Sequence, residues 1–178
     1  MKRIIDKNER IFIAGSKGMV GSSIKRTLLK NRFNQANKLS NLLTPSKFEL
    51  DLLDNTSVKN WFRKEKPTIV ILAAAKVGGI YENYRYPTEF LIENIKIQNN
   101  IILNAWKNNT KRLLFLGSSC IYPKYAKQPI TEEQLLSGYL EPTNESYALA
   151  KIVGIKLCNS LRTQYNFDSI CLMPTNLY

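Results

Sequence analysis

Arg10-Ile-Phe-Ile-Ala-Gly15-Ser-Lys-Gly18-Met-Val-Gly21 is a short apolar run that ends in three glycines spaced three residues apart and leads into the helix-like segment Met19 to Asn31. Strand, glycine turn and helix in that order place a pyrophosphate on backbone amides, because glycine permits both the tight turn and a close approach. The amides opening the helix at Met19 supply the donors. Glycine also serves such turns for backbone geometry alone, so the ligand reading depends on the rest of the chain.

Beyond Gly21 the chain alternates between strand-like and helix-like segments. Leu39 to Thr44 reads as a second strand and Lys47 to Leu50 as a short third. Asn55 to Lys66 reads as a helix, capped by Asn55 or Thr56 and stopped before Pro67. Thr68-Ile-Val-Ile-Leu-Ala73 is a continuous apolar run suited to a strand buried on both faces. Pro87 opens a helix that runs to Lys107, Arg112 to Leu116 is the next strand, Tyr147 to Tyr165 a helix, and Ser169 to Met173 the last strand before Pro174. The pattern predicts an α/β fold, a Rossmann-type doubly wound parallel sheet forming one domain over residues 1–178. No internal repeat or linker interrupts it.

Ligands of such sheets bind beyond the carboxyl ends of the strands. The cofactor-binding candidates there are Gly15, Lys17, Gly18, Met19, Val20 and Gly21 after the first strand, Ala73 and Ala75 after the fourth, and Pro174, Asn176 and Leu177 after the last. No Asp or Glu stands at the end of the second strand to hold a ribose 2′-hydroxyl, so NADP(H) fits better than NAD, with Lys47 as the cation for its 2′-phosphate and Ser46 as a further donor.

Composition narrows the class. The 178 residues are 44% hydrophobic, enough for a core of ordinary size. The net charge of +12 comes from 26 Lys and Arg against 14 Asp and Glu. These charges are scattered, with no basic helix or aromatic strand motif, so nucleic acid is not the expected partner. No run approaches the roughly 20 apolar residues of a membrane span, and the N-terminus lacks a signal-peptide core, so a cytoplasmic protein is expected. Cys120, Cys158 and Cys171 follow no metal spacing and His is absent, which argues for reduced thiols and no metal site. Cys158 and Cys171 fall in apolar patterns and read as core.

Tyr147 and Lys151 are four residues apart and share a helical face. Such pairs are commonly solvated decoration. Here they accompany Leu113-Leu-Phe-Leu-Gly-Ser118-Ser-Cys120, a strand that ends in two hydroxyls and a thiol. Ser118 could hold a substrate oxygen while Tyr147 exchanges its proton, provided that Lys151 and an oxidised nicotinamide bring the phenol near ionisation at neutral pH. Phosphate cradle, hydroxyl, Tyr and Lys together point to redox chemistry on a carbonyl or alcohol.

Five strings carry a more specific resemblance: Gly15-Ser-Lys-Gly-Met-Val-Gly21, Ala73-Ala-Ala-Lys-Val-Gly-Gly-Ile80, Leu116-Gly-Ser-Ser-Cys-Ile-Tyr-Pro123, Glu141-Pro-Thr-Asn-Glu-Ser-Tyr147 and Met173-Pro-Thr-Asn-Leu-Tyr178. With them the chain resembles the GDP-L-fucose synthase family of extended short-chain dehydrogenase/reductases. The resemblance implies 3,5-epimerisation and then NADPH-dependent 4-reduction of a GDP-linked 4-keto-6-deoxy sugar. Its implied catalytic residues are Ser118 and Tyr147 on the C4 oxygen, Lys151 on Tyr147 and the nicotinamide ribose, and Cys120 as a thiolate base whose pKa an electropositive site must lower. It also implies a homodimer through the helices around Pro87 to Lys107 and Tyr147 to Tyr165. Two departures stand out: Pro45 lies near the position where many relatives place an Arg, and the family's epimerisation His and smaller C-terminal substrate domain are missing. The chain is therefore expected to be the cofactor-binding portion of a longer enzyme, with the substrate-facing edge at Tyr81 to Tyr86 and Tyr122 to Gly138 loosely ordered.

Overall fold

The computed structural model describes residues 8–31, 41–175 and 177. Two apolar runs lie at its centre, β1 (Ile11–Ala14) and β3 (Ile69–Leu72), and every residue of both is buried. They pair in parallel, Ile11 beside Ile69 through Ala14 beside Leu72. With β2 (Leu42–Leu43), β4 (Arg112–Leu116) and β5 (Ser169–Leu172) they form a five-stranded parallel sheet of order β2-β1-β3-β4-β5.

Strand periodicity divides the core. Ile11, Ile13, Ile69 and Ile71 point to one face, where Ile24 and Leu28 of α1 (Met19–Lys30) cover them. Phe12, Ala14, Val70, Leu72, Leu113 and Phe115 point to the other, under α2 (Asn55–Glu65), α4 (Pro87–Lys107) and α5 (Glu145–Tyr165). Helices on both faces make the sheet doubly wound, as the alternation predicts. Strand order reverses between β1 and β3, which leaves a crevice between the loops that succeed them.

Four local expectations are corrected. Residues 47–50 form a turn rather than a third strand: the amides of Glu49 and Leu50 both donate to the Ser46 carbonyl, at 3.1 and 3.0 Å, and the Glu49 carboxylate accepts from the Ser46 amide at 2.7 Å. Local side-chain to backbone bonds of this kind outcompete a ladder. Only Leu50 reaches the core, while Phe48 is fully exposed. Helix α2 is capped by Asp54, one residue before the expected cap, whose carboxylate accepts from the amides of Thr56 and Ser57 at 2.9 and 3.1 Å. The edge expected to be loose contains a helix, α3 (Ile80–Arg85), and a 3-10 turn at Glu132–Gln134. The segment Leu39 to Thr44 contributes only Leu42–Leu43 as strand, and Leu39 and Ser40 lie outside the described residues.

Helices α4 and α5 pack on each other, with the Gln98 side-chain amide donating to the Ala150 carbonyl at 2.6 Å. Ile92, Leu149 and Val153 remain exposed on these two helices, the pair expected to carry a dimer. No described helix is long and apolar enough to cross a membrane.

Gly154 marks where α5 comes closest to its neighbours, since a Cβ there would stand 2.6 Å from Phe115 Cζ and 2.7 Å from Gln98 Oε1. Gly154→Ala is expected to cost about 1–3 kcal/mol in urea unfolding through overpacking. Gly79→Ala, where a Cβ meets nothing within 4 Å, should change stability little. Equal stability of the two variants would mean that α5 shifts freely against β4.

Candidate active site

Gly15 has φ +86°, and a Cβ there would lie 2.7 Å from the Ala74 amide nitrogen, so the loops after β1 and β3 touch backbone to backbone. Gly21 is equally constrained: its Cβ would stand 2.1 Å from the Gly15 carbonyl. A side chain at Gly15 would push the two loops apart, and one at Gly21 would separate α1 from its loop. Gly18 caps α1 without a side-chain bond, and the first turn has no acidic residue. The opening amides of α1 are therefore left for an anion.

A cavity of about 320 Å³ lies over this loop. Its walls are Gly15, Ser16, Lys17 and Gly18 after β1, Pro45, Ser46 and Lys47 after β2, and Ala75 and Lys76 after β3, over an apolar floor of Leu50, Leu52, Leu53 and Ile97. Two exposed lysines, Lys17 and Lys47, stand at its mouth. Glycine cradle, apolar floor and paired cations fit a dinucleotide with an additional phosphate.

Of the expected cofactor residues, Gly15, Lys17, Gly18, Lys47 and Ala75 line the cavity. Met19 is exposed, Val20 and Ala73 are half-buried, and Gly21 is buried behind the loop. Pro174 and Leu177 lie outside the cavity wall, and Asn176 lies outside the described residues. Two contributors escaped the sequence reading. Asp51, Leu52 and Leu53 line the cavity from a stretch next to the expected third strand. Asn94, 2% exposed, clamps the loop after β3: its Oδ1 accepts from the Lys76 amide at 2.8 Å, and its Nδ2 donates to the carbonyls of Lys76 at 3.0 Å and Phe90 at 2.7 Å. The signal was an Asn at the helical spacing of Phe90 and Gln98, on the buried face of α4.

The four expected catalytic residues converge beyond β4. Ser118 accepts the Cys120 amide at 3.4 Å and so opens the 3-10 turn Ser119–Ile121. From α5, the Lys151 ammonium donates to the Leu116 carbonyl at 2.8 Å and lies 5.6 Å from the centre of the Tyr147 ring. Tyr147 packs edge-on against Phe90, and Cys120 interacts electrostatically with both Tyr147 and Lys151.

Burial dominates their protonation. It pushes Tyr147 up to about 12, with Cys120 adding to the rise. It brings Lys151 down to about 8, against the opposing pull of Cys120. It also raises the Cys120 thiol, even though Ser118 and then Lys151 pull it down. The expectations of a phenol near ionisation and a depressed thiol are not met in the protein alone, because desolvation disfavours both anions and Ser118 and Lys151 offset it only in part, at Cys120. At neutral pH the site holds a protonated tyrosine and a thiol.

The chain matches the model of the NAD dependent epimerase/dehydratase family over residues 11–178. It is 53% identical over 173 residues to GDP-L-fucose synthase 1 of Arabidopsis thaliana, covering 97% of this chain and 52% of that protein. The GDP-L-fucose synthase of Escherichia coli strain K12 is 53% identical over 170 residues, covering 96% and 51%. A GDP-mannoheptose C4 reductase from Campylobacter jejuni, solved with NADP bound, superimposes with a TM-score of 0.92 at 40% identity, covering 98% of this chain and 53% of that one. The chain thus spans about half the length of the curated relatives it matches.

Lys151 carries a pH signature. Its pKa falls from 10.5 to about 8 on folding, so between those values the unfolded chain binds more protons and this residue's penalty lessens as pH rises. The stability advantage of Lys151→Met over wild type should accordingly shrink by up to about 3 kcal/mol from pH 7 to pH 10.5 in urea titrations. A difference independent of pH would mean that Lys151 titrates as it does in the unfolded chain.

Proposed function

Because the chain belongs to the NAD dependent epimerase/dehydratase family, we propose that it is the cofactor-binding and proton-transfer portion of a GDP-L-fucose synthase, converting a GDP-linked 4-keto-6-deoxy-mannose with NADP(H). The observation that carries this reading is the grouping of Ser118, Cys120, Tyr147 and Lys151 beyond β4, in the same sheet whose β1, β2 and β3 loops line a cavity flanked by lysines. Identity of 53% to two GDP-L-fucose synthases supports the choice of substrate.

NADPH, when bound, supplies the hydride for C4. The glycine loop and the amides of Met19, Val20 and Gly21 take its pyrophosphate, with Lys17 beside them, and Lys47 with Ser46 takes the 2′-phosphate. Ala75 borders the crevice, with Ala73 in the same loop, Lys151 holds the nicotinamide ribose, and Pro174 and Leu177 close the nicotinamide end. Ser118 orients the C4 oxygen by hydrogen bonding. A Tyr147 held at about 12 stays protonated at neutral pH and gives its proton to the more basic alkoxide that reduction creates.

The same two hydroxyls stabilise the enolate oxygen during epimerisation. Cys120 serves as the base at C3 and C5. Burial lowers its thiolate fraction while making the thiolate that does form a stronger base. The chain has no His, so a second proton-transfer group of the usual family type is not among its residues.

Lys47→Ala should weaken NADPH binding about tenfold, the scale of one hydrogen bond to a charged group, and leave NADH unchanged in fluorescence titration. Equal loss for both would remove Lys47 from the 2′-phosphate. In the full-length gene product, Cys120→Ser should reduce solvent-deuterium incorporation at C3 and C5 by about 10²-fold or more. Hydride transfer to a sugar already epimerised should survive in the same variant. Wild-type hydride transfer without any deuterium uptake would instead indicate a C4 reductase.

A further inference from the structure

Cys158 and Cys171 take no part in the proposed chemistry, yet the fold brings them together. Along β5, Ser169 and Cys171 face the side of the sheet that α5 covers, beside Leu113 and Phe115. The Ser169 hydroxyl donates to the Cys158 carbonyl at 3.3 Å, which fixes that turn of α5 over β5. Cys158 is fully buried in the core, and half-buried Cys171 packs against the same cluster, close enough for each thiol to shift the titration of the other. Cys171 also lines a cavity of about 530 Å³ with Tyr122, Glu132, Lys156 and Arg162, which gives a small polar oxidant a route to it.

We propose that Cys158 and Cys171 are a redox-active dithiol that hydrogen peroxide converts to a disulfide joining α5 to β5. The inference is independent of the proposed function. The neighbouring Cys158 thiol, together with the charge of Arg162, favours the thiolate at Cys171, while the neighbouring Cys171 and burial disfavour it at Cys158. Cys171, which lines the cavity, is the attacking thiolate, and Cys158, buried behind it, the resolving thiol. The Cys171 sulfur attacks one peroxide oxygen, the O–O bond breaks, and the departing hydroxide takes a proton to leave as water. The Cys158 sulfur then displaces the hydroxyl of the Cys171 sulfenic acid, which departs with the Cys158 proton as a second water. Two electrons from the two sulfurs reduce one peroxide to two waters.

The crosslink would join the elements on which the candidate active site is mounted. Helix α5 carries Tyr147 and Lys151. The end of β5 supports the segment around Ser118, with the Gly117 amide bonded to the Leu172 carbonyl at 2.7 Å and the Ser119 amide to the Pro174 carbonyl at 3.3 Å.

The test is to treat the folded chain with limiting hydrogen peroxide, alkylate it and digest it with trypsin without reductant. The peptide Leu157 to Arg162 and the peptide beginning at Thr163 should appear as one species, two hydrogens lighter than their sum and separable by reduction. It should form at least tenfold faster than any oxidation in the peptide that carries Cys120. Cys120→Ser should leave this species intact, and prior unfolding in urea should abolish the preference. Sulfinic acid at Cys171 with Cys158 still alkylated would overturn the proposal, as would a disulfide that includes Cys120 or joins two molecules.

Discussion

The parallel pairing of β1 with β3 is the constraint on which the other elements depend. Both strands are buried throughout, so each needs helices on both faces, and the direction in which the chain leaves each strand decides which face a helix covers. From β1 the chain turns outward to β2 under α1, and from β3 it proceeds the other way to β4 and β5 under α4 and α5. The two loops at the point of divergence approach so closely that Gly15 tolerates no side chain against Ala74. The same approach that closes the core opens the crevice.

Desolvation then sets the chemistry. Lys151, 5% exposed, uses its ammonium on the Leu116 carbonyl, which ties α5 to the end of β4 and brings Tyr147 within electrostatic reach of Cys120. The burial that provides this positioning also weakens the lysine as a charge and raises the phenol and the thiol. A protonated tyrosine suits a proton donor, and a thiol that is costly to ionise makes a strong base once it has done so. The site is built first for placement, and its electrostatics derive from how dry the placement leaves it.

Polar residues inside the helical layer serve the same end. Asn94 and Gln98, one turn apart on α4, spend their amides on the loop after β3 and on the backbone of α5. Such bonds in a buried layer cost much to break. They hold two otherwise independent pieces, cofactor loop and catalytic helix, to one helix.

The strands, helices and glycine loop were legible in the sequence because hydrophobic period and turn residues are local properties. Arg10 to Gly21 and Thr68 to Ala73 each fall where their patterns require. So was the placement of Ser118 and Cys120 beyond the carboxyl end of a strand, since strand ends in a parallel sheet point the same way, and of Tyr147 and Lys151 on one helical face, since they stand four residues apart. Residues 47–50 were misread because Phe48 and Leu50 alternate with the charged Lys47 and Glu49 as in a strand, while a Ser46 to Glu49 turn satisfies the backbone locally. Asn94, the meeting of Cys158 with Cys171 and the protonation of the site required the tertiary structure. Each depends on which distant groups share a dry interior, and neither periodicity nor spacing records that.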